Sequence, residues 1–448
     1  MTRPPLSPIP AFHVMTKPVG PICNLNCTYC FYLEKEKLFG STEQFRMSDE
    51  VLEAYIRQYI EQQQVPEISF AWQGGEPTLL GVDFFRKVVK LQQQYANGKT
   101  ITNAIQTNGT LLDDAWGQFL KEHQFLVGLS VDGPPDLHDA YRVDKRDRPS
   151  SERVLKGLEV LQRHQVDYNT LTVVNRKNSL EPERVYHYLK DLGSTFLQFI
   201  PLVERSADAV AKNLGLDLSL PPDLHQKERN RMVTDWSVRP EQYGQFLVSI
   251  YNEWVRRDVG QTYVQFFDVA LGNWIGQTGA LCVFSPTCGT AMALEHNGDL
   301  FSCDHYVYPK YKLGNILNQS IGEMVASPAQ RKFGQDKLSA LPKFCRDCSV
   351  RFACHGECPK HRFLRTPEGE PGLNYLCAGY KRVFKHMQPT MDIMAQLLRQ
   401  GRAPAEIMQI VAANPELAPT KLPKRNAPCP CDSGRRFSQC CGKVLLDR

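Results

Sequence analysis

Six short apolar runs, each separated from the next by a longer segment of helical period, occupy residues 12–202. They read "FHVMTKP", "EISFAWQGGEP", "ITNAIQTNG", "FLVGLSVDG", "DYNTLTVVN" and "TFLQFIPL". Between the first two, Val51, Leu52, Tyr55, Ile56, Tyr59 and Ile60 form one apolar stripe over 48–64. Phe84, Phe85, Val88, Val89 and Leu91 play the same part after the second run, and further helices are expected near 113–123, 151–165 and 181–192. Strands that alternate with helices pair in parallel, because each helix returns the chain to the same end of the sheet. Six units fall short of the eight that close a full barrel. The expected fold is therefore α/β: an open, partial (β/α)6 TIM-like barrel, with a doubly wound sheet as its rival. In both, the loops at the C-terminal ends of the strands hold the site. The polar and glycine-rich "QGGEP", "QTNG" and "SVDG" fall there.

A chain of 448 residues exceeds one small core, so two or three domains are expected. The partial barrel with an inserted polar segment at 203–238 takes residues 1–238, and a helical connector takes 239–279. A cysteine-rich region follows at 280–384, then a helical segment and linker at 385–420 and a compact tail at 421–448. Hydrophobic content of 42% with 23% charged residues is that of an ordinary globular protein. A net charge of +5 is too mild to argue for nucleic acid. The opening "MTRPPLSPIPAFHVM" has prolines where a signal peptide needs an apolar stretch, and no run approaches the ~18 apolar residues of a membrane helix. A cytoplasmic protein with no membrane or nucleic-acid partner is expected. In that reducing compartment the 15 cysteines point to metal rather than disulfides.

The cysteines fall into three groups. Cys23, Cys27 and Cys30 follow C-x3-C-x2-C just after the first strand. Structural metal sites close with four ligands, whereas three thiolates, one on each of three irons of a [4Fe–4S] cubane, leave the fourth iron open for a small molecule. A zinc site that borrows a histidine is the alternative reading of the spacing. "CNLNCTYC" resembles the signature of the radical S-adenosylmethionine superfamily, and Tyr29 before the third cysteine also matches. The resemblance covers roughly residues 12–202. It implies that the open iron binds the amino and carboxylate groups of S-adenosylmethionine, whose reductive cleavage gives methionine and a 5′-deoxyadenosyl radical. It also implies a partial barrel of six strand–helix units, in agreement with the count above.

By the same resemblance, "GGEP" (Gly74, Gly75, Glu76, Pro77) holds the methionine amino group: glycine lets backbone approach a ligand, and Glu76 can accept from an ammonium. Ser130 of "SVDG" and Arg142 of "HDAYR" resemble residues that bind the methionine carboxylate and ribose, and Asn108 of "QTNG" joins them. Each has a plainer alternative: a tight βα turn at "GGEP", a helix-capping serine, a surface arginine, and a turn asparagine.

Eight more cysteines lie between 280 and 380: Cys282, Cys288 and Cys303, then Cys345, Cys348, Cys354 and Cys358, then Cys377. Eight thiols make two four-ligand sites, and spacing alone does not choose between zinc and iron–sulfur clusters. The array resembles the SPASM extension, which has two auxiliary [4Fe–4S] clusters. That resemblance implies an inner cluster on Cys282, Cys288, Cys303 and Cys358 and an outer one on Cys345, Cys348, Cys354 and Cys377. The phrases "FAWQGGEP", "SVDGP", "CDHYVYPKYKLGNI" and "LNYLCAGYKR" together resemble the anaerobic sulfatase-maturating enzymes, which oxidise a cysteine or serine of a sulfatase to Cα-formylglycine. Asp304 matches that family's general base, while Tyr32 and Gln73 match residues lining its substrate site. The implied cofactors are three [4Fe–4S] clusters and S-adenosylmethionine. The implied partners are an unfolded or nascent sulfatase bearing a C/S-x-P-x-R motif and a flavodoxin- or ferredoxin-type reductant. A SPASM enzyme forming thioether or carbon–carbon links, and a non-catalytic iron–sulfur carrier or adaptor, are the competing functions.

The tail "APCPCDSGRRFSQCCGK" holds Cys429, Cys431, Cys440 and Cys441, enough for tetrahedral zinc. It resembles the SEC-C motif, which implies Zn2+ and contact with another protein. Lys421, Lys424, Arg425, Arg435 and Arg436 suit an acidic surface there.

Overall fold

The computed structural model describes residues 9–40, 42–224, 232–277, 279–431 and 433–445. Part of the inserted segment (225–231) and the last residues of the tail (446–448) lie outside the described residues. The six expected strands form where the apolar runs predict: β1 (His13–Lys17), β2 (Glu67–Trp72), β3 (Thr100–Thr107), β4 (Leu126–Ser130), β5 (Tyr168–Val174) and β6 (Phe196–Pro201). All pair in parallel in chain order. The helices between them start on side-chain caps where the sequence offers one. Ser48 accepts from Val51 N ahead of the Asp49–Glu61 helix, and Asp113 accepts from Trp116 N ahead of Asp114–Glu122. Their apolar stripes close a core with Phe70, Trp72 and Val127 of the sheet.

The sheet extends beyond the six units. The connector contributes β7 (Tyr263–Val264), parallel to β6. On the opposite edge β8 (Ala291–Glu295), from the cysteine-rich region, lies parallel to β1 over five residue pairs. β9 (Asp299–Phe301) and β10 (Lys312–Asn315) continue antiparallel, giving ten strands in the order β10-β9-β8-β1-β2-β3-β4-β5-β6-β7. The two ends of that order do not meet, so the barrel is open.

The expected boundary at 384/385 falls inside one helix, Cys377–Arg399. This helix packs along the Pro240–Arg257 helix, and Gly244 and Gly379 allow the crossing, since a Cβ on Gly244 would lie 2.7 Å from Gly379 Cα. Met387, Met391, Met394, Ile407, Val411 and Ala418 enter the same core as β6 and the connector helices. The stretch read as a linker is thus tied down as far as Pro419, whose carbonyl accepts from Asn252 Nδ2 at 3.1 Å. The tail then packs Cys429, Cys431, Phe437 and Cys441 together against Ala378 of that long helix.

Candidate active site

The loop after β1 presents Cys23, Cys27 and Cys30, and the 141–144 segment stitches it down. Thr28 N donates to Tyr141 O at 2.9 Å, and Asn26 N donates to Val143 O at 2.8 Å. Beneath it Asp132, fully buried, accepts from Tyr29 Oη at 2.6 Å and pairs with Arg142 Nε at 3.0 Å. Asp132 Oδ1 also accepts from Val173 N at 2.9 Å, which anchors the group to β5. Asp132 lies within the quoted "SVDG", yet its role escaped the sequence reading, because a buried aspartate after a strand leaves no periodic signature. Arg142 is therefore already partnered, while still facing the cavity described next.

That cavity, about 400 Å³, brings together the residues that the sequence suggested for the N-terminal cysteine site, for S-adenosylmethionine and for substrate, Pro77 apart. Cys23, Cys27, Cys30, Tyr32, Gln73, Gly74, Gly75, Glu76, Asn108, Ser130, Arg142 and Asp304 all line it. Pro77 is not among the lining residues; it opens the Pro77–Leu80 turn that Glu76 caps. The glycines of "GGEP" have a use that the sequence reading did not foresee. Gly75 N donates to Gly20 O at 2.8 Å, and a Cβ on Gly75 would lie 1.9 Å from Ile22 O. Any side chain there would push the cysteine loop away. Glu76 is spent largely on the protein itself. Its Oε1 accepts from Thr78 N (3.1 Å), Thr78 Oγ1 (2.6 Å) and Thr107 Oγ1 (2.7 Å), and its Oε2 from Asn108 N (2.8 Å). Oε2 keeps room for one further donor. Asn108 Nδ2 leans over the loop, 2.9 Å from Asn24 Oδ1 and 3.7 Å from Cys23 Sγ, and Ser130 Oγ accepts from Gln106 Nε2 at 3.1 Å.

Across the cavity, Asp304 Oδ1 meets Lys17 Nζ at 2.6 Å. Burial alone would raise this carboxyl; the Lys17 ammonium, with His305 and Lys360 nearby, outweighs it and holds Asp304 below the ordinary aspartate value. Lys17 ends β1 and also lies 3.8 Å from the ring centroid of Tyr32, whose hydroxyl donates to buried Glu295. Lys17, Glu204, His305 and Lys360 line the cavity and were not foreseen. Lys17 had a signal, a lysine closing an apolar strand that is 1% exposed, but its partner lies far along the chain.

The donor sets fit sulfur-ligated metal. Burial pushes the Cys23 and Cys27 thiols up to about 12 and raises Cys30, so thiolates there need a bound cation. Cys345, Cys348, Cys354 and Cys377 surround one hollow. Burial raises Cys303 well above the ordinary thiol value, with Cys358 and Cys282 adding to it, and Cys288 neighbours Cys282 in the same way. In the tail the sulfurs of Cys429, Cys431, Cys440 and Cys441 all lie within 4.8 Å of one another.

Known proteins share these features. Residues 18–189 match the radical SAM superfamily, 282–349 match SPASM, an iron–sulfur cluster-binding domain, and 425–443 match the SEC-C motif. A serine-type anaerobic sulfatase-maturating enzyme of Bacteroides thetaiotaomicron is 46% identical over 89% of this chain and 94% of its own. The chain belongs to the anaerobic sulfatase-maturating enzymes. A cysteine-type member of this family from Clostridium novyi is 30% identical over 86% of this chain and 97% of its own. The solved structure of native anSMEcpe with bound AdoMet and the Cp18Cys peptide superposes with a TM-score of 0.73, at 31% identity over 86% of this chain and 99% of that one. Streptococcus suis SuiB bound to S-adenosylmethionine, 14% identical with a TM-score of 0.52 over 82% of this chain and 75% of that one, shares the fold alone. The chain is a sulfatase-maturating radical enzyme that forms formylglycine. Among the described residues no helix is long and apolar enough to cross a membrane.

Proposed function

We propose that this chain oxidises a serine of a sulfatase polypeptide to Cα-formylglycine with Asp304 as general base. The observation that carries the reading is that Cys23, Cys27 and Cys30 line the same cavity as Asp304, the residue after Cys303. S-adenosylmethionine on the Cys23–Cys27–Cys30 cluster supplies a hydrogen-abstracting radical when bound, and an inner cluster on Cys282, Cys288, Cys303 and Cys358 supplies an electron sink. Gly74, Gly75, Asn108, Ser130 and Arg142 would seat S-adenosylmethionine, with Glu76 mainly bracing the turn that does so.

Asp304 accepts the proton of the substrate hydroxyl. Lys17 keeps it ionised for that task, and Tyr32 and Gln73 shape the wall against which the side chain lies. The serine loses one hydrogen from its β-carbon, one proton from its hydroxyl and one electron, and the carbonyl forms. Serine preference is favoured by the 46% identity to a serine-type relative against 30% to a cysteine-type one.

The outer cluster would rest on Cys345, Cys348, Cys354 and Cys377, supported by the hollow they share. A one-electron donor of flavodoxin or ferredoxin type would dock over the cysteine loop, where an open depression of about 650 Å³ reaches Cys23, Cys27 and Cys30. The tail would bind zinc through Cys429, Cys431, Cys440 and Cys441. Its exposed Lys421, Lys424, Arg425, Arg435 and Arg436 would face an acidic client or targeting surface. The protein would work in the cytoplasm, before its client folds.

The test is anaerobic incubation of the reconstituted enzyme with S-x-P-x-R and C-x-P-x-R peptides, followed by mass spectrometry. Faster formylglycine formation from serine is expected. Absence of aldehyde from both peptides, while 5′-deoxyadenosine accumulates, would overturn the reading.

A further inference from the structure

Asp304 and His305 are neighbours in one short turn, Asp304–Tyr306, and they face different things. Asp304 turns to Lys17. His305, which also lines the cavity, brings its Nδ1 to 3.5 Å from the sulfur of Cys358. Packing fixes the ring. Phe31 meets it edge to face at 5.8 Å between centroids, and Lys360 Nζ lies over the Phe31 ring, 4.4 Å from its centroid. A metal-bound thiolate only accepts hydrogen bonds, so an imidazole nitrogen at this distance serves it as an N–H donor. Such donors favour the more negative, reduced state of an iron–sulfur cluster and raise its potential.

We infer that His305 is a positioning residue that donates Nδ1–H to Cys358 and thereby raises the reduction potential of the inner cluster, so that it accepts the substrate's electron. The inference rests on Cys358 ligating that cluster, as proposed above. Two adjacent residues then divide the oxidation. Asp304 takes the proton, and His305 sets how readily the electron leaves by the neighbouring route. The backbone places both directly after Cys303.

The experiment is an anaerobic redox titration of the fully reconstituted enzyme, without S-adenosylmethionine, followed by electron paramagnetic resonance. Cys358→Ser identifies the inner-cluster signal as the one it removes or alters. His305→Phe keeps an aromatic ring and deletes the donor. It should make the inner cluster about tenfold harder to reduce, a shift of about −59 mV for a one-electron couple, and leave the other two clusters unmoved. His305→Asn keeps an N–H donor and should restore most of the shift. If the phenylalanine variant assembles with less iron than wild type, His305→Leu replaces it in the comparison.

Equal inner-cluster potentials in the wild type, the asparagine variant and the donor-less variant overturn the role of His305. If Cys358→Ser leaves every cluster signal and the full iron content intact, the ligand assignment itself falls. These two failures are separate results, because the first leaves Cys358→Ser still deleting a cluster.

Discussion

The four cysteines of the tail and the eleven of the body treat their sulfurs differently. In the tail, Cys431 Sγ lies 3.4 Å from Cys429 Sγ and 3.5 Å from Cys440 Sγ, and all four sulfurs are mutually close. Four thiolates at ~2.3 Å from one zinc lie about 3.8 Å apart, so the tail has the dimensions of a single ion. Among the described residues no cysteine group of the body gathers in this way. Cys345, Cys348, Cys354 and Cys377 instead line the walls of a hollow, and Cys23, Cys27 and Cys30 share a large cavity with Asp304. The first arrangement has room for one atom at most; the second leaves the space that a cage of several atoms would need and, at the 23–30 loop, further space beside it.

The largest effect that would break this contrast is at the loop. Cys23→Ala should abolish cleavage of S-adenosylmethionine and lower the iron content from about twelve to about eight per chain, with zinc retained. Retained cleavage would show that the three-thiol wall is not the radical-forming site. Next comes Asp304→Asn, which should still yield 5′-deoxyadenosine while formylglycine falls by about 10²–10⁴-fold, the usual range for a lost general base. Both products are measured in one anaerobic reaction, and normal aldehyde yield would remove Asp304 from its role.

A smaller effect is expected from Lys17→Met, read as a pH profile. Asp304 now sits below the ordinary aspartate value because Lys17 outweighs burial, so the base stays ionised well into acid. Without the ammonium, burial dominates and the carboxyl rises. The acid limb of formylglycine formation should therefore move to higher pH, with little change once the medium is alkaline enough to ionise Asp304 again. An unmoved acid limb would mean that another group controls it. The smallest effect belongs to the tail. Cys429→Ser should lose zinc, keep all the iron by metal analysis, and oxidise a short peptide within about twofold of wild type. Loss of iron or of peptide oxidation would erase the distinction between the two kinds of site, because Ala378 and Arg382, which face the tail, belong to the helix that starts at Cys377.

Period and spacing carried most of the fold into view. The stripe of Val51, Leu52, Tyr55, Ile56, Tyr59 and Ile60 became the buried face of Asp49–Glu61, and each apolar run became a strand. The cavity was legible through its motifs, since a loop chemistry of cysteine and glycine is local in sequence. What stayed hidden depends on distant partners. β7 has two residues and no period to detect, and β8 reads as an ordinary apolar run until it meets β1. Lys17 and Asp304, or Asp132 and Tyr29, form pairs that no window of neighbouring residues contains. The expected boundary at 384/385 followed the end of the cysteine-rich stretch, whereas the helix that begins at Cys377 runs through it to Arg399, with Pro389 inside.

The pairing of β1 with β8 has a consequence for the order in which the molecule is made. β1 precedes both of its neighbours in the chain, and β2 soon covers one side. Its other side stays an open strand edge until Ala291–Glu295 has been synthesised, a delay of tens of seconds at about 5–20 residues per second. An uncovered edge is a template for wrong pairing. The same late strand delivers the segment with Asp304 to Lys17, so until then the nascent barrel is an incomplete sheet and its cavity lacks the Asp304 carboxylate. The time between the synthesis of β1 and that of β8 is thus a window of exposure set by the sheet order and not by the fold of the six units alone.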